Sequence, residues 1–157
     1  MDLLKKSLSV RERLLGIAGR LEWLPLFLIR ASLAAVFIPS GWGKLHDLGK
    51  VSEFFTELGI PAPHLNAVVV AVSELGCGTL LLIGILSRVA AIPLIVSMTI
   101  AIITAKRADI SGITALFAVD EFIYIVMSIA VIVLGAGTVS IDGQIGRQLA
   151  RRKADRS

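Results

Sequence analysis

Four stretches of this chain are long and almost free of charge, and they constrain the fold more than any other feature. Leu24 to Gly43 offers 20 residues with one charge, Arg30. His64 to Leu86 offers 23 residues with one charge, Glu74. Val89 to Ala105 offers 17 and Phe122 to Ile141 offers 20, neither with any charge. A helix needs roughly 20 mostly apolar residues to cross about 30 Å of hydrocarbon. The pattern therefore predicts an all-α membrane protein, a four-transmembrane-helix bundle with spans near 24–43, 64–86, 89–105 and 122–141. Only 18% of the residues are charged, and all of those but Arg30 and Glu74 lie outside the spans.

Orientation is read from lysine and arginine in the flanks. The N-terminal segment has Lys5, Lys6, Arg11, Arg13 and Arg20; the loop after the second span has Arg88; the C-terminal tail has Arg147, Arg151, Arg152, Lys153 and Arg156. The opposite side has only Lys44, Lys50, Lys106 and Arg107. Both ends are expected on the cytoplasmic side of an inner (plasma) membrane. Arg30 interrupts the first apolar run, and a long segment precedes it, which speaks against a cleaved signal peptide. The basic residues sit at the ends without an aromatic-interleaved face, so nucleic acid is excluded as a partner and membrane lipid is favoured.

Three units follow from this plan. Residues 1–23 form a cytoplasmic amphipathic segment, with a surface helix expected over 9–21. Residues 24–142 form the membrane domain, and 143–157 a basic tail. A second surface helix is expected after the first span, where Val51, Phe54, Phe55 and Leu58 recur at helical spacing. Ile110 to Val119 is apolar but too short to cross.

Charges inside lipid are costly, and they normally face the bundle interior beside a partner. Glu74 lies ten residues into the second span, about 15 Å deep at 1.5 Å per residue. Arg30 lies fourteen residues before Lys44, only about 6 Å different in depth by the same rise. The two are expected to meet, as a packing lock or as a catalytic proton-relay pair. Lys44, Trp42, His46 and Glu121 gather near the outer ends of the first and fourth spans and make a candidate cofactor-binding pocket. Pro39 and Pro93 each remove a helical hydrogen bond and are expected to kink their spans. The single cysteine, Cys77, excludes an internal disulfide, and no metal cluster or nucleophile–base pair is visible.

Several short motifs then fall in order along the chain: Arg30, Ser40-Gly41-Trp42-Gly43-Lys44-Leu45, Gly59-Ile60-Pro61, Glu74-Leu75-Gly76-Cys77-Gly78, Gly84-Ile85-Leu86-Ser87-Arg88, Glu121, Gly135-Ala136-Gly137 and Ser140-Ile141-Asp142. Together they resemble the DoxX family. Ala136 stands where the family usually has proline, and the last turn of the fourth span is expected to loosen or extend there. The resemblance implies a four-helix membrane protein similar to subunits of thiosulfate:quinone oxidoreductase, and with it a redox role, a quinone cofactor and a soluble redox enzyme as partner. Fold alone does not establish such a role. A non-catalytic membrane anchor or assembly partner, and a small proton-coupled transporter, are the competing readings.

Overall fold

A computed structural model describes residues 15–16 and 19–154. Most of the surface helix expected over residues 9–21 lies outside the described residues. From residue 24 to 154 the regular structure is helical: α1 (Leu24–His46), α2 (Leu48–Glu57), α3 (Pro63–Ile83), α4 (Ser87–Thr104), a 3-10 turn at Arg107–Asp109, α5 (Ile113–Phe117), α6 (Asp120–Leu134) and α7 (Ile141–Ala154). No strand occurs among the described residues.

Three helices are long and apolar enough to cross a membrane: α1, α3 and α4. The fourth expected span is shorter than its charge-free run. α6 has 15 residues, about 22 Å at the α-helical rise. It stops at Leu134 because Gly135 (φ 85°) and Gly137 (φ 77°) take left-handed conformations, which glycine adopts without a Cβ penalty. Of the two outcomes expected for alanine at position 136, a loosened or an extended last turn, extension does not occur. The basic tail begins as α7.

The helix boundaries follow local chemistry. Pro63 enters α3 in its first turn, where its missing N–H would have no partner in any case. Gly84 (φ 73°) closes α3, with its N–H and that of Ile85 both returning to Leu80 O at 2.9 and 3.1 Å. The Asp47 side chain accepts from Lys50 N at 3.2 Å and so caps α2.

α1 packs most extensively on α3, and α4 on α6. Glycines make the α1–α3 seam. A Cβ at Gly41 would fall 2.7 Å from the Ala71 carbonyl oxygen and against the Leu75 backbone; a Cβ at Gly78 would fall 3.1–3.2 Å from Phe37 and Ile38. Small residues allow such close approach where lipid supplies no hydrophobic drive between helices. The buried core includes Leu33, Phe37, Leu81, Leu94 and Val131. Arg30, Glu74, Ser87 and Ser128 are buried with it, whereas Leu65, Val69, Ile92, Val96 and Ile103 point outward. Polar side chains inside and apolar side chains outside are the reverse of a soluble domain, and they suit a bundle in lipid.

Candidate functional site

Arg30 and Glu74 do not meet. The seam puts Gly41 level with Ala71–Leu75 and Phe37–Ile38 level with Gly78. Continuing the same antiparallel register sets Arg30 beside the end of α3, and its guanidinium donates to Leu81 O (3.0 Å) and to Val139 O. The expected pairing assumed that Lys44 and His64 mark the same depth. In fact α3 runs outward past the end of α1, where α2 packs against it. Glu74 is therefore nearer the outer end of α1 than counting suggested, and its cation is Lys44.

The bundle end that holds Arg30, Gly84 and Asp142, termed inner only as a label opposite the Lys44 end, is a polar lock. Besides the Arg30 contacts, the Asp142 carboxylate accepts from Leu86 N (3.0 Å) and Ser87 N (3.1 Å), capping α4 from a distant part of the chain. Asp142 N donates to Gly84 O at 3.0 Å. Ser140 Oγ donates to Gly137 O at 2.6 Å and accepts from Gly143 N at 2.9 Å. A Cβ on Gly84 would collide with the Arg30 guanidinium and Ser140. The motifs Gly84–Arg88 and Gly135–Asp142 are thus two halves of one joint, with Arg30 bolted through it.

The outer half holds the candidate site. A cavity of about 830 Å³ lies within it, bordered by α1, α2, α3, α4 and α6. Its walls are largely apolar, with Phe37, Phe54, Phe55, Val70 and Met98 among them, and Tyr124 enters from α6. Ser40, Lys44 and Glu74 form its polar end. Lys44 Nζ contacts Glu74 Oε2 in an ion pair, Ser40 Oγ donates to the same oxygen at 2.8 Å, and Lys44 Nζ donates to Ser40 Oγ at 3.0 Å. The Glu74 side chain is 1% exposed and that of Lys44 27%. A carboxylate so buried needs a paired cation and hydrogen bonds to be tolerated. Lys44 supplies the charge while its stem reaches toward the wetter mouth.

Of the sequence-read pocket residues, Lys44, Glu74 and Glu121 all line this cavity. Trp42 and His46 do not. Their rings pack against each other at a tilt of 47°, with centroids 4.5 Å apart, and His46 Nδ1 lies 2.8 Å from Trp42 O; Trp42 is 58% exposed. Two features escaped the sequence reading. Ser40 is the third member of the charged cluster, a role signalled by its i, i+4 spacing to Lys44. α2 was expected on the surface, yet Val51, Phe54, Phe55 and Leu58 form a wall of the cavity. No group of three or more metal-ligating side chains occurs among the described residues.

The DoxX family model matches residues 25–107, just over half of the chain. The chain belongs to the DoxX family. It is also similar to an uncharacterized membrane protein of Mycobacterium tuberculosis, 48% identical over 81 residues. That alignment covers 50% of this chain and 48% of the relative, so the chain spans about half the length of the relative it matches. No solved structure matches the chain. The DoxX-matched stretch contains Arg30, Ser40, Lys44 and Glu74, so it includes the ion pair and the guanidinium of the inner joint. Glu121, Tyr124 and Asp142 come from beyond it.

Proposed function

We propose that this DoxX protein is the membrane subunit of a redox system, and that its outer cavity takes a quinone-type ligand presented to a soluble oxidoreductase partner. One observation carries the reading: an apolar cavity within the bundle is lined by the cluster of Lys44, Ser40 and the buried Glu74. Binding sites for small lipophilic molecules are concave, mostly apolar and around 300–1,000 Å³, with a few placed polar groups. The ring-lined wall of Phe37, Phe54, Phe55 and Tyr124 suits a flat head, Lys44 offers a hydrogen bond at its polar end, and Tyr124 adds a hydroxyl to the lining. A bound quinone would supply two-electron, two-proton chemistry. The residues of the chain contribute positioning, exclusion of water and proton exchange at the Glu74 carboxylate and Lys44 ammonium. Arg30 stays with the inner joint in this reading, and Trp42 and His46 stay outside the cavity.

The test is mass spectrometry of protein extracted gently from its native membrane. Quinone should copurify in stoichiometric amount. It should be lost from the Lys44→Met/Glu74→Leu double variant, which removes both charges together and so strands neither. Wild-type protein that carries phospholipid but never quinone would refute the reading and leave the membrane-anchor alternative.

We further propose that α6 is the fourth span, with the apolar α5 adding length on the outer side, and that both chain ends face the cytoplasm of an inner-membrane protein. The basis is the flanking lysine and arginine count, eleven on the inner side against four on the outer. A C-terminal green-fluorescent fusion, which fluoresces only on the cytoplasmic side, is expected to be bright; a dark fusion with an active periplasmic phosphatase counterpart would reverse the orientation.

A further inference from the structure

Every hydrogen bond that Glu74 accepts falls on one oxygen. Ser40 and Lys44 both reach Oε2, and no described residue donates to Oε1. Among the described residues, the fully enclosed side-chain N and O atoms without a partner are Arg30 Nε, Ser87 Oγ and Ser128 Oγ. Glu74 Oε1 is not among them, so it keeps some accessible surface, and Glu74 is a lining residue of the cavity. An ion-paired carboxylate only accepts. The cavity therefore offers a charged acceptor, in a side chain 1% exposed, that only a donor can satisfy. Lys44 keeps one N–H beyond its two bonds, but its side chain is 27% exposed, so water can take that donor. Tyr124 can donate or accept and so favours neither type of ligand.

We infer that the cavity prefers the hydroxyl-bearing, reduced form of its ligand (a quinol or phenol) over the carbonyl-bearing, oxidised form, with the hydroxyl donating to Glu74 Oε1. The inference rests on the proposed quinone-type occupant and names which form of it the site holds. A quinone carbonyl at this position displaces water from Oε1 and cannot replace the lost bond. A hydroxyl makes a charge-assisted bond, about twice as strong as a neutral one. Glu74→Gln gives a sharper expectation. Lys44 and Ser40 are both donors, so the amide oxygen must take the Oε2 position, and the amide NH2 then faces the cavity as a donor. The preference should reverse toward the carbonyl form.

The experiment is calorimetric titration of the full chain in lipid nanodiscs, with partition into protein-free discs subtracted. The probes are a decyl-tailed benzoquinone, its chemically reduced quinol under argon, and the redox-inert pair para-dodecylphenol and its methyl ether. The quinol should bind about tenfold tighter than the quinone, and the phenol about tenfold tighter than the ether, the value of one charged hydrogen bond. In Glu74→Gln the quinone should bind tighter than the quinol. Equal binding of both forms, or tighter quinone binding to the wild type, overturns the inference while the occupant stands. Absence of any binding above the protein-free discs overturns both.

Discussion

Gly41→Val should prevent α1 and α3 from closing, and no other single substitution in the seam should cost as much. A Cβ at this position lies 2.7 Å from Ala71 O and presses on the backbone of Leu75. Backbone cannot rotate away as a flexible side chain can, so the two helices must separate. Overpacking of a core commonly costs about 1–3 kcal/mol, and a clash against main chain belongs at or above the top of that range. The damage spreads because Lys44 and Ser40 ride on α1 and Glu74 on α3; widening the seam parts the ion pair and opens the cavity. Gly43→Ala is the internal control. Nothing lies within 4 Å of a Cβ there, and alanine is the better helix former by about 1 kcal/mol. In detergent, thermal unfolding should fall on the order of 10 °C for Gly41→Val and hold or rise for Gly43→Ala. Equal stability of the two variants would mean that the seam does not run through Gly41.

Much of this architecture is legible in the sequence, because membrane helices declare themselves by length and by missing charge. α1, α3 and α4 fall where the apolar runs place them. The interior position of Arg30 and Glu74 also follows from the sequence, since a charge in lipid must turn inward. The error lay in the partners. Which residues meet across two helices depends on axial register, and counting from helix ends assumes that the ends are flush. Here α3 overshoots α1 and carries α2 with it, so Glu74 meets Lys44 and Arg30 is left to the carbonyls of Leu81 and Val139. Apolar composition likewise says where lipid or core lies, but not where a helix stops. Gly135 and Gly137 end α6 inside a run that carries no charge at all.

The stripe of Val51, Phe54, Phe55 and Leu58 shows the same limit. Its periodicity predicts an amphipathic helix, and α2 forms. Periodicity cannot tell whether the apolar face rests on headgroups or on a neighbouring helix. The contact with α3 decides that, and it turns a surface helix into a wall of the cavity. Motif residues that look alike in a linear reading separate into two tasks for the same reason. Gly84, Ser140 and Asp142 join with Arg30 at the inner end, while Ser40, Lys44 and Glu74 join at the outer end.

The second large effect concerns the cavity as a ligand site. Ala101→Phe should close it. Ala101 lines the space from α4, and an added ring there would take up room that a flat head needs. The substitution touches neither Lys44 nor Glu74, so the ion pair and the α1–α3 seam should survive, and the variant should keep its thermal stability. Ligand binding should nevertheless fall at least tenfold, because a filled pocket leaves no apolar surface to bury. Photolabelling with an azido-quinone measures this most directly, since each adduct marks a position. In the wild type, adducts that unlabelled quinone competes away should concentrate on Phe54, Phe55, Met98 and Tyr124, and Ala101→Phe should abolish them. Adducts on the outward-facing Val69, Val72 and Ile92 report only quinone dissolved in lipid, and should be the same in both proteins. Competable labelling of the cavity residues that disappears when the cavity is filled is the predicted result; labelling confined to the outward faces, unchanged by Ala101→Phe, would contradict the account.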